Sequence, residues 1–303
     1  MAQDKSIDMP DEILVESLQL ALEPKPIMPA IPGRPWQLSW EEKRELIRPL
    51  FAEAMATFFY VFLGGSAIAA LIVSGGLDGS RLSIAFVFAF ATAFAITFSA
   101  HISGGHLSVA FSCAFAAYRK FPWKTVPLYF LSHIVGAFIG TAFVYACFYP
   151  TIDVLDLKPI SADFTDLPVI VKAFVEIPKD YISTGYLIWT ELIANTILSF
   201  IVFSLIDHNN KEVGRTPIAI PLLIGFIIFC LIIGVGFQGI SINPARDLGG
   251  RLFIACVYGS DIFKVKNYYF WIPLIVPNIG SLLGGGIYDL MVYKHAKPRS
   301  LQQ

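Results

Sequence analysis

The sequence predicts an all-α integral membrane fold of six transmembrane helices plus two re-entrant half-helices in an inverted repeat. Three observations carry that expectation. Apolar residues make up 55% of the 303 residues and charged residues 15%, against roughly 25% charged in soluble domains, and the apolar residues come in membrane-length runs. Directly after one such run, Ser241-Ile242-Asn243-Pro244-Ala245-Arg246-Asp247 sets an amide and two charges at membrane depth. A charge there costs about 2.5–3.5 kcal/mol even on insertion scales, so it belongs against a protein interior or a watery cavity. Finally, the two halves of the chain repeat the same marks at nearly constant spacing. A net charge of −1 gives no case for a nucleic-acid partner.

Residues 1–46 read as a polar tail. Pro24, Pro26, Pro29, Pro32 and Pro35 are too dense for helix. The tail reads as an extended or disordered segment, as a regulatory plug over a pore mouth, or as a partner-binding arm. Ser39, followed by Trp40, Glu41 and Glu42, looks like a helix start with acids in its first turn.

The membrane domain, 47–293, opens with a first repeat at 47–149. Its spans are expected at 47–73, 82–99 and 125–149. Between the last two lies His101-Ile102-Ser103-Gly104-Gly105-His106-Leu107-Ser108-Val109-Ala110, followed by apolar residues only as far as Tyr118. That run is too short to cross and reads as a re-entrant half-helix. A loop at 150–182 carries six acids and three lysines. The second repeat, 183–293, is expected to hold spans at 183–206, 217–235 and 268–293. Its half-helix, 244–255, has Asn243 as N-cap and Pro244 at the first helical position. Tyr268, Tyr269 and Trp271 fit an interfacial belt. A tail at 294–303 ends the chain.

The basic residues Lys43, Arg44, Arg48, Arg119, Lys120, Lys124, Lys211, Arg215, Lys294, Lys297 and Arg299 fall on one side of six spans. That side is expected to be cytoplasmic and to hold both termini, with the acidic loop outside. Cys113, Cys147, Cys230 and Cys256 are far apart with no CxxC. They read as buried small hydrophobes, and neither a disulfide nor a metal site is indicated.

Glu53 and Glu191 are 138 residues apart, the half-helix starts Ser108 and Asn243 are 135 apart, and Gly136/Gly140 and Gly280/Gly284 are 144 apart. Each half therefore reads as a Glu-bearing span, a span, a half-helix and a GxxxG span. Three full spans per half send the two copies in from opposite faces, which places a site near the midplane between them. The GxxxG pairs allow close backbone approach.

On these residues the sequence resembles the major intrinsic proteins, the aquaporin and aquaglyceroporin family, over about residues 48–293. The resemblance rests on Asn243-Pro244-Ala245-Arg246, on Ser103-Gly104-Gly105-His106-Leu107, and on Glu53 and Glu191. Asp247 after the arginine looks like the glycerol-conducting branch. The resemblance implies an aquaporin-like fold, half-helices meeting tip to tip, a homotetramer with one pore per subunit, lipid as surroundings, and no cofactor. In the first half the chain departs from the family pattern. Ser108-Val109-Ala110 stands where the family usually has Asn-Pro-Ala, and Gly250 stands where the glycerol branch commonly has proline. Serine still caps a helix, but it has one donor where the amide has two, on a shorter arm.

By resemblance, Asn243 would donate to a passing hydroxyl with Ser108 as the weaker partner, flanked by Val109, Ala110, Pro244 and Ala245. Arg246 would narrow the outer mouth. Matching the family spacing gives Phe88, Ile240 and either Ile232 or its neighbour Leu231 as the other filter positions, although Phe88 and Ile240 would equally suit simple core packing. Glu53 and Glu191 would hold the pore loops, with His106 supporting the first. A proton relay through the two acids is the chemical alternative. Asp247 is expected to hold backbone or Arg251 rather than touch solute. His101 is a candidate for the cytoplasmic mouth.

Ser103 and His106 make no nucleophile pair without an orienting acid, so no enzyme is expected. The function implied is a passive channel for glycerol and other small neutral solutes, with some water, in the plasma membrane. The alternatives are another neutral cargo such as peroxide, ammonia or longer polyols, a non-conducting scaffold worked by the N-terminal tail, or a secondary transporter.

Overall fold

The computed structural model describes residues 39–155, 169–210 and 218–293. The proline-rich tail, the basic residues Lys211 and Arg215, the middle of the acidic loop and the C-terminal basic cluster lie outside the described residues. Eight helices carry the fold: α1 Trp40–Val73, α2 Arg81–Ser103, α3 Val109–Tyr118, α4 Val126–Val154, α5 Thr184–Leu205, α6 Ala219–Gly234, α7 Pro244–Tyr258 and α8 Trp271–Met291. No strand occurs among the described residues.

Among the described residues, five helices are long and apolar enough to cross a membrane: α1, α2 and α5, together with α4 and α8 joined to the turns before them. Helix α6 is as apolar but has 16 residues, about 24 Å at 1.5 Å per residue. The segment before it is not described. Helix α3 has 10 residues and α7 has 15, too short to span. Helix α1 starts seven residues before the apolar run at 47. The Ser39 hydroxyl accepts from Glu42 N while the Glu42 carboxylate accepts from Ser39 N, so the cap is made outside the apolar segment.

The polarity of the molecule is that of a protein in lipid. Glu53, Glu191, Asn195, His133 and Arg251 are completely buried, while Phe86, Phe90 and Phe94 along α2 and Ile275, Ile279, Leu283 and Ile287 along α8 face outward. Water would penalise that arrangement on both counts, whereas a bilayer penalises only exposed polar groups. The chain is a multi-pass integral membrane protein.

The packing follows the repeat. Helix α1 packs on α2 and α4, and α5 packs on α6 and α8. Each half-helix lies against the last span of the other repeat, α7 on α4 and α3 on α8, and α2 meets α6. The GxxxG spans make the tightest seams. A Cβ on Gly136 would fall 2.1 Å from Ala54 O of α1, and one on Gly284 would fall 2.1 Å from Thr196 O of α5.

Two expectations are corrected. Cys147, Cys230 and Cys256 are exposed, and Cys113 is only partly buried. The outside of this molecule is apolar, so a small apolar side chain has no reason to go inside. Tyr269 is buried at 3% exposure rather than in the interfacial belt, while Tyr268 and Trp271 do face outward. The Arg251 guanidinium lies 5.9 Å from the Tyr269 ring, so the tyrosine lies against a buried cation rather than at the surface.

Candidate functional site

Two buried carboxylates shape two loops. Glu53 Oε1 accepts from His106 N at 2.9 Å and from the Ser103 hydroxyl at 2.6 Å. Its Oε2 accepts from Leu107 N at 2.9 Å and meets His133 Nε2 at 2.7 Å. Glu191 Oε2 accepts from Ser241 N at 2.8 Å, and Oε1 accepts from Ile242 N at 2.7 Å and from Asn195 Nδ2 at 3.0 Å. A buried carboxylate is tolerated only with its lone pairs met in this way.

The two sets of amides are again 135 residues apart. Leu107 and Ile242, the residues just before the caps, both take left-handed backbone, φ 55° and 63°. In a trans peptide the carbonyl points away from the N–H. Turning the His106 and Ser241 amides onto the carboxylates therefore turns the Gly105 and Ile240 carbonyls to the opposite side. Gly105 and Ile240 line the two cavities described below.

The half-helices begin where these loops end. Asn243 Oδ1 accepts from Ala245 N at 3.0 Å and from Arg246 N at 3.3 Å, capping α7 with Pro244 in its first turn. Its Nδ2 donates to Leu107 O at 2.8 Å, which ties the second tip to the first loop. One Nδ2 proton is left over. Ser108 caps α3 by accepting from Ala110 N at 3.3 Å, and Val109 replaces proline at the first helical position without breaking the start. The serine makes no cross-repeat bond among the described residues, so the two tips are unequal. Ser108, Val109, Ala110, Asn243, Pro244 and Ala245 are all buried.

Two cavities flank the tips. The inner one, about 60 Å³, is lined by the loop residues Gly104–Ser108 and Asn243, by Ile96, Leu198, Val202, Ile224 and Ile228, and by Tyr60, Thr92, Phe111 and Phe115. The outer one, about 370 Å³, is lined by Phe88, Ile232, Ile240 and Arg246, and also by Arg81 and Glu176. The four expected filter residues are thus brought to one chamber. Ile232 lines it and Leu231 does not. The Arg246 guanidinium faces Glu176 at 3.6 Å. Burial pushes the Glu176 carboxyl up to about 7, and Arg246 pulls in the opposite sense.

Asp247 lines neither of these two cavities. Its carboxylate accepts from Glu176 N at 2.8 Å and from Arg251 Nε at 2.5 Å. Arg251 in turn donates to Glu176 O at 2.8 Å and Ile262 O at 3.0 Å. The pair binds the outer loop down onto α7. Gly250 has its reason here, since a Cβ would meet Phe174 O of that loop at 2.1 Å. His106 is buried with Nδ1 2.9 Å from the Ser112 hydroxyl. Ser103 is not paired with it, because the Ser103 hydroxyl points to Glu53. His101 is exposed in the last turn of α2 and lines neither cavity.

Sequence reasoning missed Tyr60, His133, Arg81 and Glu176. Tyr60 was findable, since it lies seven residues after Glu53 and therefore on the same helix face. His133 lies one turn before Gly136, on the face that the glycine presses against α1. Glu176 sits in an irregular loop and carries no periodic signal.

Two capped half-helices meeting between inverted repeats define a membrane channel. The chain belongs to the major intrinsic protein family, whose pattern matches residues 40–288. It is similar to aquaglyceroporin-2 of Rhizophagus irregularis, 36% identical over 80% of this chain and 76% of the relative. It is also similar to human aquaporin-9, 32% identical over 86% and 88%. Among solved structures it is similar to the aquaglyceroporin from Plasmodium falciparum, with TM-score 0.72 and 31% identity, covering 81% of this chain and 96% of that one.

Proposed function

We propose that this protein is a passive channel for glycerol and other small neutral solutes, with some water permeation, excluding protons and ions. The observation that carries the reading is the inner cavity. Loop residues Gly104–Ser108 and Asn243, with its spare amide proton, line it together with a mainly apolar set that includes Ile96, Leu198, Val202, Ile224, Ile228, Phe111 and Phe115. A solute with a hydroxylated edge and a hydrocarbon edge is matched on both. Arg246, Phe88, Ile240 and Ile232 act as the filter of the outer chamber, and Arg246 supplies fixed donors. The N-termini of α3 and α7 converge at the tips, and their positive ends oppose cations and protons. Glu53 and Glu191 hold the loops in shape, with every carboxylate oxygen already engaged. The working unit is a homotetramer in the plasma membrane, with the tails 1–46 and 294–303 in the cytoplasm.

Stopped-flow permeation in vesicles tests this. Glycerol should equilibrate fast, without saturation and without a gradient of any ion. Vesicles no leakier than protein-free ones would overturn it, and a requirement for a sodium or proton gradient would make the protein a transporter.

A further inference from the structure

The two unequal tips raise the question of what contacts a solute where the first repeat gives up its amide. We infer that Tyr60 is a specificity-determining residue of this pore. Its phenol hydroxyl is a hydrogen-bonding partner for hydroxylated solutes between the two chambers, and its ring sets the width there. The inference rests on the channel reading and deepens it.

Three observations place Tyr60 in that role. Among the described residues Tyr60 and Ile242 line both chambers, so the two side chains stand where the chambers adjoin. Tyr60 is 6% exposed, yet its Oη has no hydrogen-bond partner among the described residues. It is not among the polar atoms sealed in protein, as those of Tyr269 and Ser281 are. The little surface it shows therefore faces the cavities. A phenol there both donates and accepts, and it adds to the Ser108 hydroxyl, which accepts from Ala110 N in capping its own helix and keeps one proton to donate.

The ring is also held. Phe88 lies 5.3 Å from it, centroid to centroid. Phe88 is drawn back over Gly64, one turn further along α1, where any Cβ would fall 2.1 Å from the Phe88 ring. Phe88 lines the outer chamber and not the inner one, which leaves the boundary to Tyr60 and Ile242, with Tyr60 its one polar side chain.

The experiment compares glycerol with 1,3-propanediol, which lacks the middle hydroxyl, and adds erythritol as a larger polyol. Permeation is measured per incorporated protein for wild type, Tyr60→Phe and Tyr60→Leu. The Phe variant should lower the glycerol-to-propanediol ratio roughly threefold to tenfold, the worth of one lost hydrogen bond. The Leu variant should lower it as far and also speed erythritol. A wild type that conducts, with either variant conducting at the wild-type ratio, overturns the hydroxyl's role. A Leu variant with unchanged erythritol flux overturns the ring's role. Should the Phe variant fail to insert, the Leu variant decides both points. A wild type silent to all three solutes sinks the channel reading itself and this inference with it.

Discussion

Arg246 and Glu176 show how one residue's setting decides its use. Arg246 is 6% exposed, and what remains open faces the outer chamber with a carboxylate 3.6 Å away. Replacing it by alanine removes fixed donors and opens space. Arg246→Ala should admit bulkier polyols, and an unchanged cutoff in a vesicle uptake series would count against its filter role. Glu176 makes a prediction about pH. Its carboxyl is raised from an ordinary value near 4.5 to about 7 because burial outweighs the pull of Arg246. Between those values the folded chain holds a proton that the unfolded chain has lost. This group's contribution to stability therefore falls as pH rises from about 4.5 to 7 and then levels off. Thermal unfolding in detergent should show a shallower fall over that window for Glu176→Gln than for wild type. Glu191 differs, since both its oxygens accept backbone N–H groups. Glu191→Gln turns a donor toward a donor, and each orphaned amide costs about 1–3 kcal/mol. A wild-type melting temperature in that variant would show that the loop does not depend on the charge.

At the scale of the helix, caps and seams carry the architecture. The serine that replaces the usual asparagine still satisfies Ala110 N, which is why α3 forms at all. Ser108→Ala should cost about 1 kcal/mol of stability while Ser108→Asn should not, read from the same melts. The seam between α1 and α4 tolerates less. Alanine at Gly136 would press on Ala54 O, whereas at Gly140 the nearest backbone atom is 3.0 Å away. Overpacking of this kind costs about 1–3 kcal/mol. Gly136→Ala should therefore destabilise clearly more than Gly140→Ala, and the reverse order would mean the seam lies elsewhere. Gly250 belongs to this scale too. The outer loop's Phe174 carbonyl comes down on it and leaves no room for a Cβ, and that loop delivers Glu176 to the chamber.

For the molecule as a whole, the swapped packing of the half-helices matters most. Since α7 rests on α4 and α3 on α8, neither repeat can complete its half of the site alone. The outward face of α8 is apolar from Trp271 to Met291, and that of α2 is apolar along Phe86, Phe90, Phe94 and Phe98 with Ser83, Thr97 and His101 beside it, as a lipid or subunit contact requires. Purified in mild detergent, the protein should sediment with the mass of four chains of 33.5 kDa each. A monomeric particle that still conducts would separate the pore from the assembly.

Much of this was open to reading in one dimension, for a physical reason. A bilayer forbids polar groups so strongly that Glu53, Glu191, Asn243 and Arg246 stand out from apolar runs, and a repeat betrays its symmetry through equal spacings such as that between Ser108 and Asn243. Helix starts were legible as well, because a cap is a local bond between neighbours. What required three dimensions were contacts between residues with no pattern in common. His133 reaches Glu53 from 80 positions away, and Glu176 comes to Arg246 out of an irregular loop. The outward cysteines and the inward Tyr269 likewise depend on which face each helix turns to lipid. A nearly all-apolar helix does not declare that face, since either side would satisfy the hydrophobic effect and only packing selects between them.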